Sequence, residues 1–181
     1  MFRKDARTAV GDYVRLAWRI AKEKMPADRI LEELSAIGAE YPIADAVDCL
    51  WGVDCYTHWQ EELRYFISRY EEHLAQEAGQ NYDNEQWNRI WLGSAASSIE
   101  HILPQSSTVG YVHRLGNLMV LPPGLNSKLG AKAPKAKADD YTKTGLLVAQ
   151  EVAGQVSNWK RSTVAAREES LLEWALEEWA D

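Results

Sequence analysis

Hydrophobic and polar positions follow a helical period over residues 1–92. Val10, Tyr13, Val14, Ala17 and Ile20-Ala21 recur at three- and four-residue steps, which places them on one face of a helix. A second helix is predicted from Ala27 to about Ala39, entered through Pro26 and ended near Tyr41-Pro42, because proline suits a helix start. From Trp59 to Ala78, Leu63, Phe66, Ile67, Tyr70 and Leu74 keep helical register, and Gly79 supplies the stop. Glu61, Glu62, Arg69, Glu71 and Glu72 then fall to the solvent side. Aromatic stripes at this spacing are read as core.

From Gly93 the texture changes. Ser94-Ala95-Ala96-Ser97-Ser98 is too small and polar to continue an amphipathic helix, and Ile99-Glu100-His101-Ile102-Leu103 before Pro104 reads as a short strand stopped by proline. A loop rich in Ser, Thr and Gly leads to Asn117-Leu118-Met119-Val120-Leu121, a second strand bracketed by Gly116 and Pro122-Pro123-Gly124. The two strands suggest a hairpin-like pair. A short helix begins in Gly124–Leu129, and Tyr141–Val152 and Asn158–Ala180 are helical again. The last of these carries Trp159, Val164, Leu171, Leu172, Ala175 and Trp179 on or near one face. No internal repeat is visible. The expected organisation is a helical region, 1–92, and a strand-bearing region with C-terminal helices, 93–181, packed as one unit.

Composition narrows the class. A chain of 181 residues, 46% hydrophobic and 26% charged, can bury an ordinary core. It has no apolar run near the roughly 18 residues of a membrane span, and Met1-Phe2-Arg3-Lys4-Asp5 lacks the apolar stretch of a signal peptide. Cys49 and Cys55 cannot make a disulfide framework, so a reducing, cytoplasmic setting is expected and no membrane partner. The formal charge of −7 argues against coating nucleic acid by bulk charge. Between His101 and Gly145, however, six cations (Arg114, Lys128, Lys132, Lys135, Lys137, Lys143) face two anions (Asp139, Asp140), a local balance of +4 that makes this segment a candidate polyanion contact.

Of the four histidines, His58 and His73 lie in acidic helical segments and read as ordinary. Cys49, Cys55 and His58 lack an obvious fourth ligand for structural zinc. His101 follows Glu100 at the end of a strand. Neighbours on a strand face opposite ways unless a bend intervenes, so the pair alone is ambiguous between a working dyad and ordinary strand residues. With Asn117 opening the second strand and Asn126 on the short helix, three separate places could converge on one divalent ion and one water. Phosphodiester hydrolysis needs such parts: a base, a hard cation and a group that orients the base. A carboxylate and an amide oxygen suit Mg2+ or Mn2+ and not Zn2+.

Five short motifs carry a resemblance: Ile99-Glu100-His101-Ile102-Leu103-Pro104-Gln105; Arg114-Leu115-Gly116-Asn117-Leu118-Met119-Val120-Leu121; Leu125-Asn126-Ser127; Lys137 with Tyr141; and Trp159, Val164 and Arg167. In this order and spacing the chain resembles the HNH nuclease domain at the C-terminus of GmrSD-type restriction endonucleases, well from Ile99 to Trp179 and more loosely before. The resemblance implies a mainly α protein with a small embedded ββα-metal (His-Me finger, HNH) element. It further implies a DNA endonuclease or nickase of a bacterial anti-phage restriction system, using Mg2+ or Mn2+. His101 would be the general base, Glu100 the acidic metal ligand, Asn117 the support of the base and of the strand geometry, and Asn126 the second metal ligand. Lys128, Lys132, Lys135 and Lys137 would line the DNA backbone. His113 is open between a phosphate contact and a loop histidine, and Arg167 reads as a structural ion-pair former. Larger proteins of this type carry an N-terminal ParB-like nucleotide-hydrolysing domain. No phosphate-cradling Gly-rich loop is seen in this sequence, so that domain or a separate partner protein is expected. The lysine loop also departs from the family pattern, with Ala131-Lys132-Ala133-Pro134 where an aromatic residue often follows the Asn-Ser element. The alternative function is an inactive DNA-binding or regulatory module, and a helical protein–protein adaptor is a third reading.

Overall fold

A computed structural model describes residues 9–179. Among the described residues the architecture is mainly helical with one two-stranded antiparallel sheet. No described helix is long and apolar enough to cross a membrane. Contacts divide the chain into two units, one holding the residues up to Cys49 together with those from Glu173 onward, the other Leu50–Leu172.

The first unit contains α1 (Val10–Glu23), α2 (Ala27–Ala39) and most of α3 (Ile43–Leu50). The first two helices form where the hydrophobic period places them, and an ion pair of Arg19 with Glu33 links them. The stripe does not face a core, however. Val10, Tyr13, Val14, Ala17 and Ala21 of the stripe are exposed, as is Trp18 outside it, and in α1 only Leu16 is buried. Periodicity fixes that a helix forms; which of its sides is covered depends on neighbours it does not specify.

The second unit carries the site. It runs through α4 (Gln60–Glu77), α5 (Asn84–Trp91), α6 (Ala95–Ser98), β1 (Ile99–His101), β2 (Leu118–Val120), α7 (Pro123–Leu129), α8 (Ala138–Thr142), α9 (Leu147–Gln155) and the first part of α10 (Arg161–Glu178). Helix α5 opens on a capping box, Asp83 and Gln86 exchanging side-chain and backbone hydrogen bonds. Leu63, Phe66 and Ile67 of α4 are buried, as predicted, with Leu118, Val120, Val148, Val152 and Val164. Glu71 is a correction. Expected on the solvent side, it is fully buried and accepts hydrogen bonds from the Leu147 and Val148 N–H groups at the start of α9, 2.7 Å each, and from the Tyr82 hydroxyl. A carboxylate here satisfies orphan donors of a helix start that no residue of α9 caps.

Strand β1 pairs with β2 in the register Ile99↔Val120, Glu100↔Met119 and His101↔Leu118. Both are shorter than expected. Leu115–Asn117 make a tight 3-10 turn instead of opening the second strand. Gly116 explains that turn: a Cβ on it would lie 1.9 Å from the Val164 carbonyl oxygen and 2.9 Å from the Glu168 nitrogen, so only glycine lets the turn lie against the backbone of α10. Glu168 of α10 is buried and holds the Arg114 guanidinium, and it accepts from the Gly52 N–H at 3.3 Å.

Candidate active site

A cleft of about 260 Å³ opens beside the end of β1, bordered by Tyr56, Glu100, His101, Gln105, Ser106 and Asn126 among others. The three expected groups, acid, imidazole and amide, thus border one space. Strand β1 ends at His101, and the chain bends away toward Pro104, so the neighbouring acid and histidine meet the same cleft.

His101 is 5% exposed, and burial first, then His113 and Lys137, pushes its imidazole from the ordinary 6.5 down to about 4. The ring is therefore neutral at neutral pH, the form able to take a proton. Its Nε2 lies 3.0 Å from Nδ1 of His113. The Tyr56 ring stands edge-on to His101 at 4.5 Å between centroids and is stacked on His113 at 5.4 Å.

Glu100 borders the cleft but is 2% exposed, and its Oε1 accepts from Lys137 Nζ at 2.6 Å and the Tyr141 hydroxyl at 2.7 Å. Burial raises the carboxyl above its ordinary pKa, opposed by Lys137 and Tyr141. Lys137 corrects the expectation that it lines DNA. It is fully buried, and its remaining donors reach the carbonyls of His101 at 2.8 Å and Ile102 at 3.4 Å. A buried ammonium must be paired, and a strand acid between Ile99 and Ile102 supplies the partner.

Asn117 also corrects its expectation in part. It is fully buried and makes no hydrogen bond to His101. Its Oδ1 accepts from the Leu103 N–H at 2.8 Å and the Trp159 indole N–H at 2.9 Å, and its Nδ2 donates to the carbonyls of Leu103 and Val112. It fastens the chain on both sides of the loop and does not reach the cleft.

Asn126 donates through Nδ2 to the Ser97 and Ile99 carbonyls, 2.9 Å each. Two carbonyl acceptors require the amine of the amide on that side, which leaves Oδ1 as its acceptor for a ligand. A neutral amide oxygen with a charge-compensated carboxylate is a hard-oxygen set suited to an ion that keeps several waters. Among the described residues no group of three or more His, Cys, Asp or Glu is arranged to hold a metal, so a closed transition-metal site does not fit.

Lys128, Lys132 and Lys135 are exposed, and Gly130 and Ala131, between the first two, border the cleft. Lys128 and Lys132 lean on Asp140 at 3.8 and 3.4 Å. Arg167 is buried and donates to the Gly116 and Leu118 carbonyls at 3.0 and 2.8 Å, a backbone clasp in place of the expected ion pair.

Sequence reasoning missed Tyr56, which sits in an aperiodic turn with no signal. It also missed that Lys137 and Tyr141 share one partner. Their i, i+4 spacing together with an acid on an apolar strand was the available clue.

In comparison with known proteins, no curated protein and no solved structure matches the chain. A family model described as GmrSD restriction endonucleases, C-terminal domain, matches residues 43–174.

Proposed function

The chain belongs to the family of GmrSD restriction endonuclease C-terminal domains, and from that premise we propose that it is an HNH-type DNA endonuclease or nickase acting in restriction of phage DNA. The observation that carries the reading is the meeting of Glu100, His101 and Asn126 at one cleft beside β1. Strands β1 and β2 followed by α7 serve as the ββα-metal element of this proposal.

Neutral His101 takes a proton from a water in the cleft as that water's oxygen bonds to phosphorus. The bond from phosphorus to the leaving sugar oxygen then breaks, and that oxygen takes a proton from solvent. Asn126 Oδ1 and the Glu100 carboxylate would hold Mg2+ or Mn2+, with Asn126 the stronger candidate because Glu100 already carries the Lys137 charge. When bound, the ion supplies Lewis-acid stabilisation of charge on the phosphate. Lys128, Lys132 and Lys135 hold the DNA backbone. Selection of the DNA falls to a ParB-like nucleotide-hydrolysing domain or partner protein, and the setting is cytoplasmic.

The engagement of Glu100 with Lys137 favours one rival, a DNA-binding or regulatory module without cleavage. Plasmid nicking with added Mg2+ or Mn2+, measured with DNA binding for the wild type and His101→Ala, decides between them. Nicking lost in His101→Ala with binding retained is expected. Binding without nicking by the wild type establishes the rival, and absence of both refutes the two together.

A further inference from the structure

We propose that His113 is the positioning residue that fixes the tautomer and ring orientation of His101, a proposal that rests on the reading of His101 as the base. His113 fills the role that the sequence pattern assigns to Asn117, whose amide is spent on backbone and on Trp159.

Among the described residues the His101 ring makes one hydrogen bond, Nε2 to His113 Nδ1 at 3.0 Å. With one proton between the two facing nitrogens at that distance, only two arrangements exist. If His101 Nε2–H donates to His113 Nδ1, the other nitrogen of His101 keeps its lone pair and serves as a base. If His113 Nδ1–H donates instead, His101 carries its proton on Nδ1 and has no lone pair left to offer water. Only the first arrangement also suits the protonated ring, which has an N–H on both nitrogens and keeps His113 Nδ1 as acceptor.

The first arrangement is the one the proposal assigns, and the position of the His113 ring is fixed by its surroundings. Its carbonyl accepts from the Cys55 N–H at 3.2 Å and from the Cys55 thiol at 3.4 Å. The neighbouring Val112 carbonyl is held by Asn117 Nδ2 at 2.8 Å. Its ring lies nearly parallel to Tyr56, 10° between planes, while the same tyrosine packs edge-on against His101 at 75°. Tyr56 therefore wedges both imidazoles, and the bond between them sets the remaining rotation of His101.

The test pairs a spectroscopic readout with a kinetic one on the full chain. Nitrogen-15 spectra of the imidazoles in the wild type are expected to show His101 protonated at Nε2 and bare at Nδ1. His113→Phe keeps the stack on Tyr56 and removes the acceptor. It should mix the tautomers of His101 and slow metal-dependent plasmid nicking by about tenfold or more, with DNA affinity unchanged. His113→Asn returns an acceptor near the position of Nδ1 and should restore most of the rate and the single tautomer. A His101 protonated at Nδ1 in the wild type, or nicking by His113→Phe at the wild-type rate, overturns the proposal while leaving the nuclease reading intact. A wild type that does not nick overturns that reading and with it the role of His113, whichever tautomer the spectra give.

Discussion

Replacing Lys137 by methionine separates a structural lysine from a DNA-binding one. The side chain is fully buried and its ammonium lies 2.6 Å from a carboxylate that is itself 2% exposed. Methionine fills most of the space but leaves Glu100 with a charge, the Tyr141 hydroxyl and no cation. Breaking a buried pair from one side costs about 3–5 kcal/mol, because the surviving charge has lost both water and partner. For a chain of this size each kcal/mol moves the melting temperature by about 2–4 °C, so the drop should be roughly 6–20 °C. Thermal unfolding followed by circular dichroism reads it directly.

Two companions make the result specific. Glu100→Gln combined with Lys137→Met removes both charges and should recover more than half of the loss, since no unpaired ion remains. Lys135→Met, on the exposed loop, should stay within about 0.5 kcal/mol of the wild type. A Lys137→Met protein that melts with the wild type yet binds DNA more weakly would refute the reasoning and return Lys137 to the phosphate backbone.

Four further outcomes follow from the same geometry. Gly116→Ala drives a Cβ to 1.9 Å from the Val164 oxygen and should cost about 3 kcal/mol or more in urea unfolding; a loss under about 1 kcal/mol would mean the turn does not lie on α10. Asn126→Ala should cost about 1–2 kcal/mol for two lost hydrogen bonds but slow metal-dependent cleavage by about 100-fold or more, and equal effects on both would remove it from the metal. Replacing Lys132 and Lys135 by alanine should weaken DNA binding and flatten its dependence on salt; an unchanged slope takes this loop out of the interface. Because the folded imidazole of His101 sits at about 4 and the free one at 6.5, the unfolded chain protonates first as pH falls. Stability should then drop between those values by up to about 3 kcal/mol, a drop that His101→Phe should remove.

Helices α4, α7 and α10 and the pairing of the strands were legible because each rests on local periodicity or on proline and glycine punctuation, whereas the one-turn α6 falls on the small, polar Ser94–Ser98 stretch and the expected Tyr141–Val152 helix is split into α8 and α9. What stayed hidden depends on partners distant in sequence. Glu71 looks like any solvent-side acid of α4 until the bare N-terminus of α9 arrives beside it. Lys137 looks like its three exposed neighbours, and only the fold reveals that a 3-10 turn at Pro134–Lys137 points it inward. The apolar stripe of α1 shows the converse, a strong signal whose side faces outward. His113 had no periodic context, and its importance exists only through a ring contact with His101.

One physical need ties the scattered motif residues together. A sheet of two short strands leaves the outer edge of each strand with unpaired carbonyls, which buried backbone does not tolerate. On β1 the residues facing β2 are Ser98, Glu100 and Ile102: the Ser98 carbonyl accepts from the Leu121 N–H, Glu100 stands opposite Met119, and the Ile102 N–H donates to the Asn117 carbonyl. The alternate carbonyls of Ile99, His101 and Leu103 point the other way, and each is met by a different side chain: Asn126, Lys137 and Asn117. At the start of the second strand and the turn before it, Arg167 does the same for Leu118 and Gly116. These side chains stand where further strands would otherwise lie. That substitution leaves the end of β1 open to the cleft, which an added strand would have closed, and it fixes the backbone at His101 and on both sides of it, at Ile99 and Leu103. Polar residues that look like a collection of catalytic groups in the sequence are thus mostly the frame, and His101 Nδ1 and Asn126 Oδ1 are the atoms at the cleft that the frame leaves uncommitted among the described residues, which is where the proposed chemistry places the base and a metal ligand.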